Sequence, residues 1–149
     1  AGPRWAIDAC PLKPTALAVA GRHVVAAAFA GGAEPAGVRV SRADRRDRRF
    51  RGATELHPGA SVSDAPALAT VGGRVVAAWH AKAGGERRVF IAASRDGARS
   101  FGAPAEVPAP AGAGSYPALA ARAGGVQLAW QQGDAIVTRF VPATDPLLR

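Results

Sequence analysis

Few side chains here are of types that do chemistry, and their spacing limits what they could do. The chain has three histidines, His23, His57 and His80, one cysteine, Cys10, and one tyrosine, Tyr116. A zinc or copper site needs several such ligands converging on one ion. The histidines are far apart and none forms a ligand pair with Cys10, so no metal site and no cofactor are expected. A lone cysteine cannot close an internal disulfide. Cys10, followed by Pro11, reads either as a buried thiol or as half of a disulfide or ligand set completed elsewhere. The net charge is +8, and a basic balance can mean nucleic acid or an acidic surface. Its densest run is "RADRRDRRFR", Arg42 to Arg51. Two Asp interrupt that run, and its single aromatic residue, Phe50, is not the interleaved series that stacking platforms would require. It reads as a solvated arginine-rich turn, with no nucleic acid partner expected. The remaining candidate is "SRDGARSF", Ser94 to Phe101, which is either a piece of an active site or a turn.

What must position these residues follows from composition and patterning. A chain of 149 residues is long enough for one domain with a core. Apolar residues make up 48% of it, too many for a disordered chain. Gly 18 and Pro 12, spread along the whole length, demand frequent turns and argue against long helices. The alanine excess, with Arg far outnumbering Lys, reflects compositional bias and is discounted as a helix signal. No apolar run approaches the roughly 20 residues of a membrane-spanning helix. The chain opens without Met or a signal peptide, so its first residue reads as a processed or excised terminus.

The sequence repeats itself. "RWAIDACPLKPTALAV", "ELHPGASVSDAPALATV" and "EVPAPAGAGSYPALAAR" align so that Thr15, Pro66 and Pro117 stand 51 residues apart. Trp5, Leu56 and Val107 correspond, as do Leu17, Leu68 and Leu119. After each "ALA" come a Gly turn and a second apolar run, "RHVVAAAF", "RVVAAWH" and "VQLAWQ". A third run follows, "GVRVSR", "RRVFIAASR" and "DAIVTRF". Two units add a fourth, "FRGATEL" and "FGAPAEV". Val, Ile, Phe and Trp concentrate in the runs and Gly, Pro, Asp and Ser between them, which predicts short strands joined by turns. Four strands in about 50 residues is the size of a propeller blade, an antiparallel meander covered on both faces by its neighbours. Such cover explains nearly all-apolar runs such as "VVAAW", where a half-solvated sheet would alternate. The predicted fold is all-β. A spare outer strand spans 4–8, blades span 15–56 and 66–107, and a partial blade spans 117–141. Three blades are too few to close a ring. A second copy of the chain, making six blades, or a companion segment is expected to complete it.

"SRDGARSF" resembles the Asp-box of sialidase-like propellers, the BNR repeat, with Ser/Thr-x-Asp-x-Gly-x-Thr-Trp as its pattern. Ser94, Asp96 and Phe101 fit. Gly97 precedes Ala98, which stands at the family's usual Gly position, and Ser100 replaces Thr. "SRADRRDRRF", Ser41 to Phe50, is a degenerate box, and the third unit keeps only Thr138. The pattern "W-x-I-x-x-CP", "ALA", "VAW" and "SRDG-RSFG-P-V" is similar to bacterial exported sialidase-like proteins. The resemblance implies a box that is a structural turn between third and fourth strands. Sialidases clamp a carboxylate with three Arg and attack with a Tyr–Glu pair and an Asp acid/base. None of these can be carried over onto a position of this chain, so no catalytic residue is assigned.

In such propellers ligands sit at the end opposite the boxes. The resemblance nominates Lys13, Asp64 and Tyr116, with Cys10, Ser63 and Ser115, from one set of loops. It nominates His80, Lys82, Glu86 and Gln131, with Gln132, from another. This mix suits a carbohydrate or a peptide. The expected function is a non-catalytic, extracytoplasmic (periplasmic or secreted) binding or scaffold module. Part of an exo-sialidase or other glycoside hydrolase whose catalytic blades lie outside this chain is the alternative, as is an oligomeric propeller lectin.

Overall fold

The computed structural model describes residues 14–30, 37–47, 49–56, 66–109 and 113–149. The spare strand at 4–8, Cys10, Lys13, His57, Ser63 and Asp64 lie outside the described residues.

The described chain is all-β. Strands β1 (Ala16–Ala20), β2 (His23–Ala30), β3 (Gly37–Asp44) and β4 (Arg51–Glu55) form a first sheet in chain order. A second sheet comprises β5 (Ala67–Val71), β6 (Arg74–Ala83), β7 (Glu86–Ser94) and β8 (Ala105–Glu106). The third holds β9 (Ser115–Arg122), β10 (Gly125–Gln132) and β11 (Ala135–Pro142), and a short 3-10 turn, Pro146–Leu148, follows it. Every pairing is antiparallel. Hairpin turns at Gly72–Gly73 and Gly84–Gly85 place both glycines at positive φ, which only Gly adopts freely and which matches strand twist.

The sheets pack face to face in chain order, with β1 beside β5 and β5 beside β9. The middle sheet is therefore covered on both sides. Its strand β6 sends Val75, Ala77, Trp79 and Ala81 into a core shared with the first sheet, where Val25, Val38 and Val40 meet them. Val76 and Ala78, one residue out of phase, enter a second core with Val126, Leu128 and Trp130 of the third sheet. Alternation of side chains about a strand produces this division. It also explains why β6 has no polar face. Trp79 and its cross-strand partner Phe90 stack with ring centroids 6.2 Å apart.

The fourth run of the middle unit is shorter than its sequence suggests. Pro104 and Pro108 flank β8 and have no N–H to donate, which confines the regular ladder to two residues. Single bonds continue the pairing, from Gly102 N–H to Ala93 C=O and from Val107 N–H to Val89 C=O. The 3-10 turn was not anticipated. Asp145 caps it by accepting from Leu147 N–H at 2.9 Å, Pro146 opens it, and Leu148 is buried in the second core. "DPLL" carries that capping signature, but a one-turn helix leaves no periodicity to read.

Candidate functional site

Among the described residues, the buried polar side chains are His80 and Ser94. Both belong to the middle sheet, at opposite ends. His80 pairs with Val89 across the ladder, and Ser94 lies five residues further along β7. That separation is about 17 Å at the usual strand rise of about 3.4 Å per residue. Each anchors a distinct polar structure.

Ser94 and Asp96 organise the turn after β7. The Ser94 hydroxyl donates to Asp96 Oδ1 at 2.8 Å and accepts from the Ala98 N–H at 2.8 Å. Asp96 also accepts from the Arg99 and Ser100 N–H groups, at 2.9 and 3.0 Å, and from the Ser100 hydroxyl at 2.6 Å. The Ser100 hydroxyl and N–H, followed by Ser94 and Arg99, hold the Asp96 carboxyl well below the usual carboxylate range against a smaller opposing effect of burial. Gly97 and Ala98 both have positive φ. Ala98 is buried and Phe101 packs on the core between the first and second sheets. The carboxylate is consumed by its own turn.

His80 faces the third sheet. Its Nδ1 accepts the backbone N–H of Tyr116 at 3.1 Å, so this nitrogen carries a lone pair and no proton. Tyr116 has φ +52°, a left-handed conformation that a bulky residue adopts only under constraint, at a cost of about 1–3 kcal/mol. The constraint is visible in the ladder. Ala118 pairs with Ala129 and Ser115 with Gln131, so Tyr116 and Pro117 together oppose Trp130. This is a β-bulge, and Pro117 suits it because a bulged residue needs no ladder donor. The bulge re-aims Tyr116. The residue is 52% exposed, and its ring meets the His80 imidazole edge-on, with centroids 5.3 Å apart. Gly114 closes the site from behind. A Cβ there would lie 2.9 Å from Val89 Cγ2 and 3.1 Å from Trp130 Cδ1.

The structure therefore brings His80 and Tyr116 into contact, with Ser115 and Trp130 beside them. The other nominated residues stand differently. Lys82 is exposed, two residues beyond His80 on the same strand. Glu86 is exposed and ion-paired to Arg88 at 2.7 Å. Gln131 points away from Trp130, and its amide donates to Gly133 C=O at 3.1 Å. Gln132 is half-buried at the end of β10. Trp130, whose Nε1 is buried and meets no acceptor among the described residues, is not among the nominated residues. The "SYP" step before "ALA" is the one trace of the bulge in the sequence. No group of three or more potential metal ligands occurs among the described residues. Among the described residues, no helix is long and apolar enough to cross a membrane. Compared with known proteins, the chain matches no family model, no curated protein and no solved structure.

Proposed function

We propose that the chain supplies three blades of a sialidase-like β-propeller. Another copy of the chain, or a companion segment, completes the ring. The module binds or scaffolds outside the cytoplasm and does no catalysis itself. One observation carries this reading. The middle sheet is sealed on both faces, whereas the flanking sheets leave apolar side chains in water on their outer faces. Leu17 and Val19 of β1 are 63% and 53% exposed, and Ile136 of β11 is 70% exposed. Large side chains on a sheet face of this kind mark a surface made for a neighbour. A further sheet of the same type would cover each face as the middle sheet is covered.

The His80–Tyr116 bulge is the ligand end in this reading. A half-exposed tyrosine next to the Ser115 hydroxyl suits a sugar face or a peptide side chain. Size-exclusion chromatography with light scattering tests the proposal. Closure by symmetry predicts about 30 kDa, twice the 15.1 kDa chain. A monodisperse 15.1 kDa monomer overturns it.

A further inference from the structure

The arginines are distributed unevenly along the sheets. The end that carries the Asp96 turn also carries Arg22 in the β1–β2 turn, Arg45, Arg46 and Arg49 between β3 and β4, and Arg95 and Arg99 beside Asp96. Two acidic residues in this region are already engaged. Asp44 accepts from the Arg22 Nε at 2.8 Å and the Arg46 N–H at 2.9 Å. Asp47 takes Arg51 at 2.9 Å. Chiefly the Arg46 N–H, and then Arg22, hold the Asp44 carboxyl below its ordinary value.

Between these groups a cleft of about 160 Å³ separates the outer strands of the first sheet from the Asp96 turn of the second. Val40, Arg42, Arg51, Gly52, Ala98 and Arg99 line it. Thr54 fixes its width by donating to the Arg99 C=O at 3.2 Å. Among the described residues, no carboxylate lines it. A second cleft of about 210 Å³ continues from the same Arg42 and Arg51 toward Arg22, His23 and Arg49, and Asp44 and Asp47, each paired with an arginine, line it as well. Arg42 occupies the inward-facing register of β3, opposite Val25 and Arg51. Its side chain is drawn between the sheets, where its Nη1 is buried and meets no acceptor among the described residues. A guanidinium N–H removed from water without a partner is costly. Arg42, Arg51 and Arg99 line one space, and planar guanidinium forks match the acceptor geometry of a compact oxyanion.

We propose that this cleft binds a tetrahedral oxyanion, a phosphate or sulfate group, with Arg42 at its floor and Arg51 and Arg99 on its walls. The inference goes beyond the function proposed above, because it concerns the opposite end of the sheets. It survives or fails independently of ring closure. Free phosphate and the sulfate of an anionic saccharide both carry the required chemistry. Free phosphate would fill the cleft alone, while a saccharide would extend along the arginines of the second cleft.

Titration calorimetry at low ionic strength, with inorganic phosphate in one arm and a sulfated disaccharide in the other, tests the proposal. Saturable one-to-one binding of at least one probe is expected. Arg42→Gln should weaken it by about ten- to a hundredfold, the range for a hydrogen bond to a charged group. Arg42→Lys should restore only part of the loss. Arg45→Gln and Arg46→Gln should change binding less than about twofold, since exposed charges at this distance are screened. Arg51→Gln, judged alongside a thermal melt, serves should Arg42→Gln fold poorly. Tighter binding of the disaccharide identifies a saccharide ligand, and equal or weaker binding identifies the free ion. Absence of saturation with both probes overturns the proposal. So does equal weakening by every arginine substitution, which would mean diffuse charge attraction and no site.

Discussion

At the scale of single residues, Asp96 and His80 fulfil opposite structural demands. Asp96 is exposed, and its value lies in the hydrogen bonds that it accepts from Ser94, Arg99 and Ser100. Asp96→Ala should lower unfolding stability by about 1–2 kcal/mol in denaturant titration. The pH dependence follows from the depressed pKa. A carboxylate held low in the folded state contributes stability fully above its unfolded value, near 3.9, and loses it as pH falls further toward the folded value. Stability should therefore decline below about pH 4 in the wild type, and Asp96→Asn should flatten that part of the profile. His80, by contrast, is fully buried and anchors a strained backbone. His80→Leu roughly keeps the volume but leaves the Tyr116 N–H without its acceptor, and should cost about 1–3 kcal/mol in the same titration. The residue types at both sites are evident in the sequence. The contact between His80 and Tyr116, 36 positions apart, is not, because a bulge and the docking of the second sheet on the third create it.

Among the elements, the middle sheet is where sequence and structure agree most closely. "RVVAAWH" has no polar alternation, and β6 is covered on both faces. Trp79→Ala should therefore be among the most damaging single changes, at about 3–5 kcal/mol, with a fall in melting temperature to match. The turn glycines were legible as turns, but Gly114 plays a different part. It lets β9 pass close over Val89 and Trp130. Gly114→Ala should cost about 1–3 kcal/mol through overpacking, although alanine is abundant throughout this chain. Element lengths were less legible. Pro104 and Pro108 shorten β8, and capping at Asp145 sets the final 3-10 turn. Both are local chemistry at the ends of runs, where hydrophobic periodicity carries no information.

For the molecule as a whole, the outer faces of the first and third sheets decide the architecture. Leu17, Val19 and Ile136 are exposed where their counterparts in the middle sheet are covered. If those faces bind further sheets, Ile136→Glu should convert the assembly of about 30 kDa, twice 15.1 kDa, to monomers in light scattering. It should do so with little effect on the middle sheet's exchange protection, since Ile136 belongs to neither core cluster. Phe140 on the same outer face lies beneath the Arg122 guanidinium, 5.3 Å from its ring centroid, which partly shields it from water. The two ends of the sheets also differ, since arginines crowd the end that carries Asp96 while His80 and Tyr116 mark the other.

The sequence by itself determined the strands, their antiparallel meander order and the division into three units. These depend on local alternation, turn residues and a 51-residue period, all of which are written along the chain. It also determined that Asp96 belongs to a turn, because the hydrogen bonds that hold it span only a few residues. Only the tertiary structure decided which outer faces stay open, since Leu17, Val19 and Ile136 suit a covered sheet face as well as an exposed one until a neighbour is placed. It alone joined His80 to Tyr116, and it alone drew Arg42 from an apparently solvated run into a cleft between sheets. Such contacts depend on the register of one strand against another and the packing of sheet on sheet, and neither is encoded in any single stretch of residues.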